Sequence, residues 1–349
     1  MIEIDGSFGE GGGQILRTAL SLSCLFIKPF RIFNIRKGRK KPGLMPQHLT
    51  SVRAAQLISG AEVKGGEIGS SELIFKPIGV RGGEFFFDVG TAGSTSLVLQ
   101  TIIPSLIFSK EKTTIILKGG THVPFSPSFD YIAEVFAPIL ERLGVKIEMK
   151  IESYGFYPKG GGRIRIEIFP AEKLKPLRVT ERGKVLRIRG CSGAGNLPLS
   201  IAERQKNAMI EKIHSEIKDL KCPLEIELRD VSTPGQGTFI YLHSESENAV
   251  AGFTALGERG KRAEAVGEEA ATEFIKYYST NAAFDRHLPD QIVLYLTMPA
   301  EESIFTTSCI TQHLMTNLWV VGLFHKFHYS TDGAIGKPGI VKIRSFTDI

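Results

Sequence analysis

Cysteine is scarce: four in 349 residues, at Cys24, Cys191, Cys222 and Cys309, with no CxxC or CxxH pair among them. That scatter argues against a zinc site, and against a disulfide framework in an intracellular chain, thermophiles being the known exception. No apolar run reaches the ~18–20 residues that a membrane-spanning helix needs. The opening Met1-Ile2-Glu3-Ile4-Asp5-Gly6 reads as a strand entering a turn and not as a leader peptide, so the expected location is cytoplasmic. The glycine-rich loops never end in GK[ST], and none shows the strand–GxGxxG spacing. The Walker and Rossmann phosphate sites are therefore absent.

What is abundant is glycine, 37 residues, many in GG or GGG clusters that mark tight turns and close backbone approach. The net charge of +6 is compatible with a polyanionic partner. A chain of this length buries a large core and is expected to form about two domains. Helices ended by Gly and followed by glycine-broken strands recur around residues 57–83 and 140–168. A third helix-then-strand stretch spans 267–299, its strand at 291–296. Repeated α+β units are the natural inference. Composition shifts near residue 183. From there, strand-like pieces at 185–189, 224–228 and 237–243 alternate with helical stretches at 198–218 and 260–278. This reads as a small αβ domain at 183–278 inserted into a large one formed by 1–182 and 279–349.

Several stretches carry chemistry. Gly9-Glu10-Gly11-Gly12-Gly13-Gln14 feeds a helix whose first N–H groups can face an anion, or forms only a structural turn. Glu10 is out of place beside a phosphate unless a cation lies between them. Arg31, Arg36, Lys37, Arg39, Lys40 and Lys41 precede Pro42-Gly43, a basic loop that is either a solvated face or a grip on polyanion. Gln47 and His48 then begin a helix with Val52, Ala55, Leu57 and Ile58 among its apolar positions. The small hydroxyl residues of 90–96 precede an apolar helix and offer a second N-terminal anion site. Gln100, two turns into that helix, needs a partner, which a ligand or a neighbouring loop can supply. In the stiff loop 119–127, Phe125 can wall an aromatic base. His313 sits between small polar residues and the apolar run Leu318-Trp319-Val320-Val321. It is either a helix-start histidine satisfied within the fold or a nucleophile, since a neutral imidazole attacks phosphorus and passes the group on.

Together these stretches resemble the RNA 3′-terminal phosphate cyclase family over essentially the whole chain. The resemblance rests on seven ordered motifs: Gly9–Arg17, Lys41-Pro42-Gly43-Leu44 with Gln47-His48, Gly90–Gln100, Gly119-Gly120-Thr121, Tyr157–Gly162, Asp290-Gln291 and the His313 segment. It implies an α+β fold of three repeated units, each a four-stranded sheet on two helices. These are similar to the C-terminal domain of translation initiation factor 3, with a small thioredoxin-like domain inserted before the last. It implies ATP-dependent conversion of an RNA 3′-phosphate into a 2′,3′-cyclic phosphate, through AMP-histidine and RNA–ppA intermediates.

By the same resemblance, His313 is the nucleophile and Glu10 the metal-binding acid, with Mg²⁺ or Mn²⁺. Gln100, Pro127 and the segment His287, Leu288, Pro289, Asp290 and Gln291 match ATP-contacting positions. Arg17, Arg36, Arg39, Gln47 and His48 match positions that handle phosphate and the RNA end. The expected partners are ATP and RNA with a 3′-phosphate, with no membrane, the chain being monomer or homodimer. The sequence departs from the pattern in three places. His287 stands where a bacterial member has Tyr, Pro46 where some members have a basic residue, and Pro289 in place of a common Ala. The competing readings are a non-catalytic cyclase-like RNA-binding protein of ribosome assembly and an enolpyruvyl transferase. The first would lack His313, and the motifs of the second are not visible.

Overall fold

The computed structural model describes residues 1–346. The chain begins with β1 (Ile2–Asp5), α1 (Gly13–Phe26), β2 (Phe30–Phe33), α2 (Pro46–Ser59), β3 (Glu62–Lys64) and β4 (Leu73–Lys76). The sheet order is β1-β2-β4-β3, with β1 and β2 parallel and the other pairs antiparallel. Next come β5 (Gly83–Asp88), α3 (Thr95–Leu106) and β6 (Thr113–Gly119). A helix follows, made of α4 (Phe129–Tyr131), a π-helical turn (Ile132–Phe136) and α5 (Ala137–Arg142). β7 (Ile147–Ser153) and β8 (Gly162–Ile168) complete a second sheet, β5-β6-β8-β7, with the same sense of pairing.

β9 (Arg178–Val179) opens a third sheet. Before that sheet continues, the chain forms β10 (Val185–Gly195), α6 (Leu199–Glu216), β11 (Leu224–Asp230), β12 (Gly237–Ser246), β13 (Val250–Leu256) and α7 (Ala263–Tyr278). Those strands make a sheet of their own, β11-β10-β12-β13. The chain then returns through α8 (Leu288–Leu296), β14 (Ser303–Thr307), α9 (Gln312–Phe324), β15 (Phe327–Asp332) and β16 (Gly339–Ser345). The third sheet is β9-β14-β16-β15, again one parallel pair followed by two antiparallel pairs.

The helices of the three sheets meet in one contiguous apolar core that draws residues from all of them, Ile4, Phe75, Ile164, Phe305 and Val341 among them. α1 lies at its centre, which explains why its buried residues run round the helix: Ile15, Leu16, Ala19, Leu20 and Leu22, and also Thr18, Ser21 and Ser23. A buried hydroxyl needs a partner. Ser21 donates to the Thr101 carbonyl on α3 at 2.7 Å, and Thr18 donates to Asn317 Oδ1 on α9 at 2.7 Å. The β10–β13 sheet has a separate core with α6 and α7, built from Ile188, Met209, Ile213 and Phe274 among others.

Two sequence readings are corrected. Residues 291–296 are not a strand but lie within α8. Asp285 Oδ1 accepts the N–H groups of His287 and Leu288, Pro289 stands in the first turn, and the apolar residues that follow are buried around the helix. A short, continuous apolar run carries no period that separates strand from helix. Leu57 faces outward on α2, 45% exposed, while Val52, Ala55 and Ile58 are buried. Local pattern does not single out β2, β5, β6, β7, β9, β13, β14 or β15. All four cysteines are free thiols, and among the described residues no helix is long and apolar enough to cross a membrane.

Asn317 fastens α9 to two neighbours: it accepts from Thr18, and its Nδ2 donates to the Asp290 carbonyl on α8 at 2.6 Å. Asn317→Ala leaves a buried hydroxyl and a carbonyl unpaired. It should cost about 1–3 kcal/mol, read as a lower urea midpoint at unchanged slope.

Candidate active site

One cleft of about 1230 Å³ gathers residues from α1, α2, α3, α8 and α9 and from β13 and α7. His313 is the second residue of α9 and half exposed. Its Nδ1 lies 2.5 Å from Oε1 of Gln14, the second residue of α1. An amide oxygen only accepts, so Nδ1 is the donor, and in the neutral ring Nε2 then keeps its lone pair. Among the described residues nothing hydrogen-bonds to Nε2. Partial burial lowers the ring's pKa, Glu10 opposes that, and Arg17, Arg39 and Arg286 add to it. The imidazole is therefore neutral at pH 7.

Thr311 sets the start of α9. Its hydroxyl accepts the Leu314 N–H at 3.0 Å and donates to Asp290 Oδ1 at 2.5 Å. Asp290 is held in a site where burial raises its pKa to about 7, against the opposing Thr311 bond. Behind it, Asp285 is wholly buried and accepts from the Tyr131 hydroxyl at 2.9 and 3.0 Å. Burial also pushes its carboxyl pKa upward.

The glycine loop before α1 is clamped to α9. Gly9 has φ +57, and a Cβ there would lie 2.6 Å from Thr316 Oγ1, so only glycine fits without strain. Phe8 stacks on Trp319 with ring centroids 4.0 Å apart. Glu10 Oε2 accepts the Gly12 N–H at 2.9 Å and lies 4.0 Å from His313 Nδ1, while Oε1 pairs with Arg39. The anion at the head of α1 is thus the chain's own, with an arginine as the intervening cation. Among the described residues Glu10 is the one carboxylate within 4.0 Å of the His313 ring. Among the described residues no three His, Cys, Asp or Glu side chains group closely enough to hold a metal. A Mg²⁺ ion there fits one carboxylate completed by phosphate oxygens and water.

Arg17 and His48 form a donor pair over Gly13. A Cβ on Gly13 would lie 2.2 Å from His48 Nε2 and 2.9 Å from Arg17 Nη1. The Arg17 guanidinium makes no ion pair or hydrogen bond among the described residues, and burial lowers its pKa to about 10, with Glu10 opposing. Burial first, then Arg17 and Arg36, push His48 down to about 3. His48 Nδ1 accepts the Met45 N–H at 3.2 Å, which leaves the proton on Nε2, facing the cleft.

The other expected residues divide. Arg36 lines the cleft but spends Nη1 on the carbonyls of Lys41 and Gly43, folding the basic loop. Gln47 also lines it, its Oε1 accepting the Ser94 N–H at 2.9 Å. Gln100 donates to Gln291 Oε1 at 2.5 Å, and Gln291 donates to the His287 carbonyl at 3.0 Å. Pro127 and His287 line the same wall. Leu288 and Pro289 turn into the core and do not line it. The second anion site expected at 90–96 is corrected. Residues 90–96 lie outside the cleft, and the Ser94 and Thr95 N–H groups are already bonded, to Gln47 and to the Gly120 carbonyl.

Sequence reasoning missed Gln14, Thr311, Asp285 and Arg286. Gln14 was visible in the glycine motif, and Asp285 four residues before Pro289 was a readable helix-start signal. Arg286 had no signal; it lines the cleft half-exposed, with Glu273 Oε2 3.9 Å from its Nη1.

Asp290 makes a pH prediction. A carboxyl pKa raised in the fold means that between about pH 4 and 7 the native state holds a proton the unfolded chain has lost, so stability falls as pH rises through that window. Asp290→Asn keeps an acceptor for Thr311 and should flatten the fall. Denaturant midpoints at pH 5 and pH 8 should differ less in the variant than in the parent chain.

A family profile described as RNA 3′-terminal phosphate cyclase matches residues 8–331. A protein named RNA 3′-terminal phosphate cyclase from Sulfolobus acidocaldarius is 48% identical over 325 residues, covering 93% of this chain and 95% of the relative. One of the same name from Ignicoccus hospitalis is 44% identical over 348 residues, 99% and 98% of the two chains. Another, from Pyrococcus abyssi, is 41% identical over 343 residues, 98% of each. With the site's geometry and this likeness running through nearly the full length, the chain belongs to the RNA 3′-terminal phosphate cyclase family.

Proposed function

We propose that the chain converts the 3′-phosphate of RNA into a 2′,3′-cyclic phosphate at the expense of ATP, with His313 carrying AMP between the two. The observation that supports this most is the neutral His313 ring, held by Gln14 through Nδ1 with Nε2 unbonded in a cleft lined with arginines.

In this reading Nε2 attacks the α-phosphorus of ATP and the bond to the bridging oxygen breaks, releasing pyrophosphate. The imidazolium so formed keeps its proton on Nδ1, donated to Gln14 Oε1, with Glu10 close by to offset the charge. A 3′-phosphate oxygen of RNA then attacks the AMP phosphorus and the N–P bond breaks, giving RNA–ppA. The neighbouring 2′-oxygen attacks the 3′-phosphorus, and AMP leaves. Adenylation turns a poor leaving group into a good one, and the last step is intramolecular, its reactants already adjacent.

Arg17 and His48 hold phosphate as charged and neutral donors over Gly13. Arg36, Arg39 and Gln47 shape and charge the RNA side. Gln100, Pro127, His287, Asp290 and Gln291 receive ATP, while Leu288 and Pro289 only anchor the start of α8 behind them. A Mg²⁺ or Mn²⁺ ion held by Glu10 and the triphosphate would neutralise phosphate charge when bound. Three repeats (1–182 and 279–349) with an inserted domain (183–278) are part of the same reading, supported by the common order of the first three sheets. So is a cytoplasmic location.

Incubation with α-labelled ATP and Mg²⁺ tests it. The protein should take up an acid-labile, alkali-stable label, lost in His313→Ala. The label should chase into RNA bearing a 3′-phosphate. An end lacking the 2′-hydroxyl should stop at the adenylated RNA. Retained labelling in His313→Ala, or a label that no 3′-phosphate removes, would contradict the proposal.

A further inference from the structure

We propose that Phe125 is the stacking platform for the terminal nucleobase of the RNA, an inference that rests on the function proposed above. The residue stands in the loop between β6 and α4, with a relative exposure of 102%. Its φ is +61, left-handed backbone that a ring-bearing residue rarely adopts. Strain and full exposure of an apolar ring both cost free energy, and among the described residues no other ring stacks on Phe125. Its display is nevertheless firm. Pro124 and Pro127 stiffen the loop, Ser126 Oγ donates to the Val123 carbonyl at 3.0 Å, and Ser128 Oγ accepts the Tyr131 N–H at 3.3 Å. On the near side, buried His122 is anchored 2.6 Å from Asp130. A rigid frame holds a bare aromatic face at the edge of the cleft that contains His313 and Arg17.

Two bases enter such a site, the adenine of ATP and the last base of the RNA. A mononucleotide can be taken wholly inside, beside Pro127 and His287 in the same cleft. A polymer has to be gripped at the rim, where Phe125 stands. Stacking on an aromatic face is tolerant of base identity, so this contact selects an end without selecting a sequence.

The test uses 3′-phosphorylated oligoribonucleotides ending in 2-aminopurine, whose fluorescence is quenched on stacking, and needs no turnover. The parent protein should quench the terminal base, Phe125→Ala should not, and Phe125→Trp should restore quenching. In cyclisation, Phe125→Ala should raise the KM for RNA about 10- to 100-fold, with a much smaller change in kcat. An abasic 3′-phosphate end should show the raised KM already in the parent and gain nothing further from Phe125→Ala. Phe125→Gly suits the left-handed backbone, so it should keep or raise Tm while losing RNA affinity. A merely structural loop residue would show the reverse. The inference is overturned if Phe125→Ala quenches like the parent, if the KM for ATP rises in place of that for RNA, or if Phe125→Gly unfolds the protein. Loss of ATP labelling in the parent protein, with terminal-base quenching intact, would count against the proposed function and leave the stacking site standing.

Discussion

The hydrogen bond between His313 Nδ1 and Gln14 Oε1 is the contact on which the rest depends. It joins the first turn of α1 to the first turn of α9, two helices separated by almost the whole chain. A single amide oxygen does two things there. It fixes the tautomer that leaves Nε2 available, and it aims that nitrogen into the cleft. The surrounding contacts keep the two helix heads in register: Thr316 against Glu10 and Gly9, Phe8 stacked on Trp319, and Thr18 bonded to Asn317. Each is a point where α1 and α9 cannot slide without breaking a buried bond or opening a stack.

The charges around this contact are arranged at a cost. Arg17 lacks a carboxylate partner, His48 is held far below its ordinary pKa, and Asp285 and Asp290 are pushed above theirs. None of these is what stability alone would choose. They make sense if a polyphosphate supplies the missing counter-charge. Then the donors are already in place and need no reorganisation, which is where electrostatic stabilisation of a phosphoryl transition state is most effective. The same logic explains why Glu10 is paired with Arg39 and with the helix head, both of which a bound anion would also seek.

Much of this was legible in the residues. The opening strand, the helix after the glycine loop, the Gly60 and Gly144 stops and the strand from Gly162 follow from local rules of turn and cap. Most of the cleft was legible too, because glycines, a basic loop and His313 are unusual residues in unusual company. What local pattern did not reveal depends on distant partners. The run at 291–296 is helical because Asp285 and Tyr131 prepare its start. Leu57 faces outward because of the packing of α2. The hydroxyl-rich 90–96 stretch stays out of the cleft, with its Ser94 and Thr95 amides already taken by Gln47 and Gly120. Gln14 was in view, and only the fold shows that it faces a histidine almost three hundred residues on.

The most direct test of this account is the nitrogen-15 spectrum of the histidines, with His313 assigned, before and after addition of ATP. Before ATP, His313 should be neutral at pH 7 with its proton on Nδ1, and Gln14→Leu should shift it toward the other tautomer. After ATP, phosphorus coupling should appear on Nε2. A protonated ring at pH 7, or phosphorus on Nδ1, would contradict the claim that Gln14 makes His313 the nucleophile.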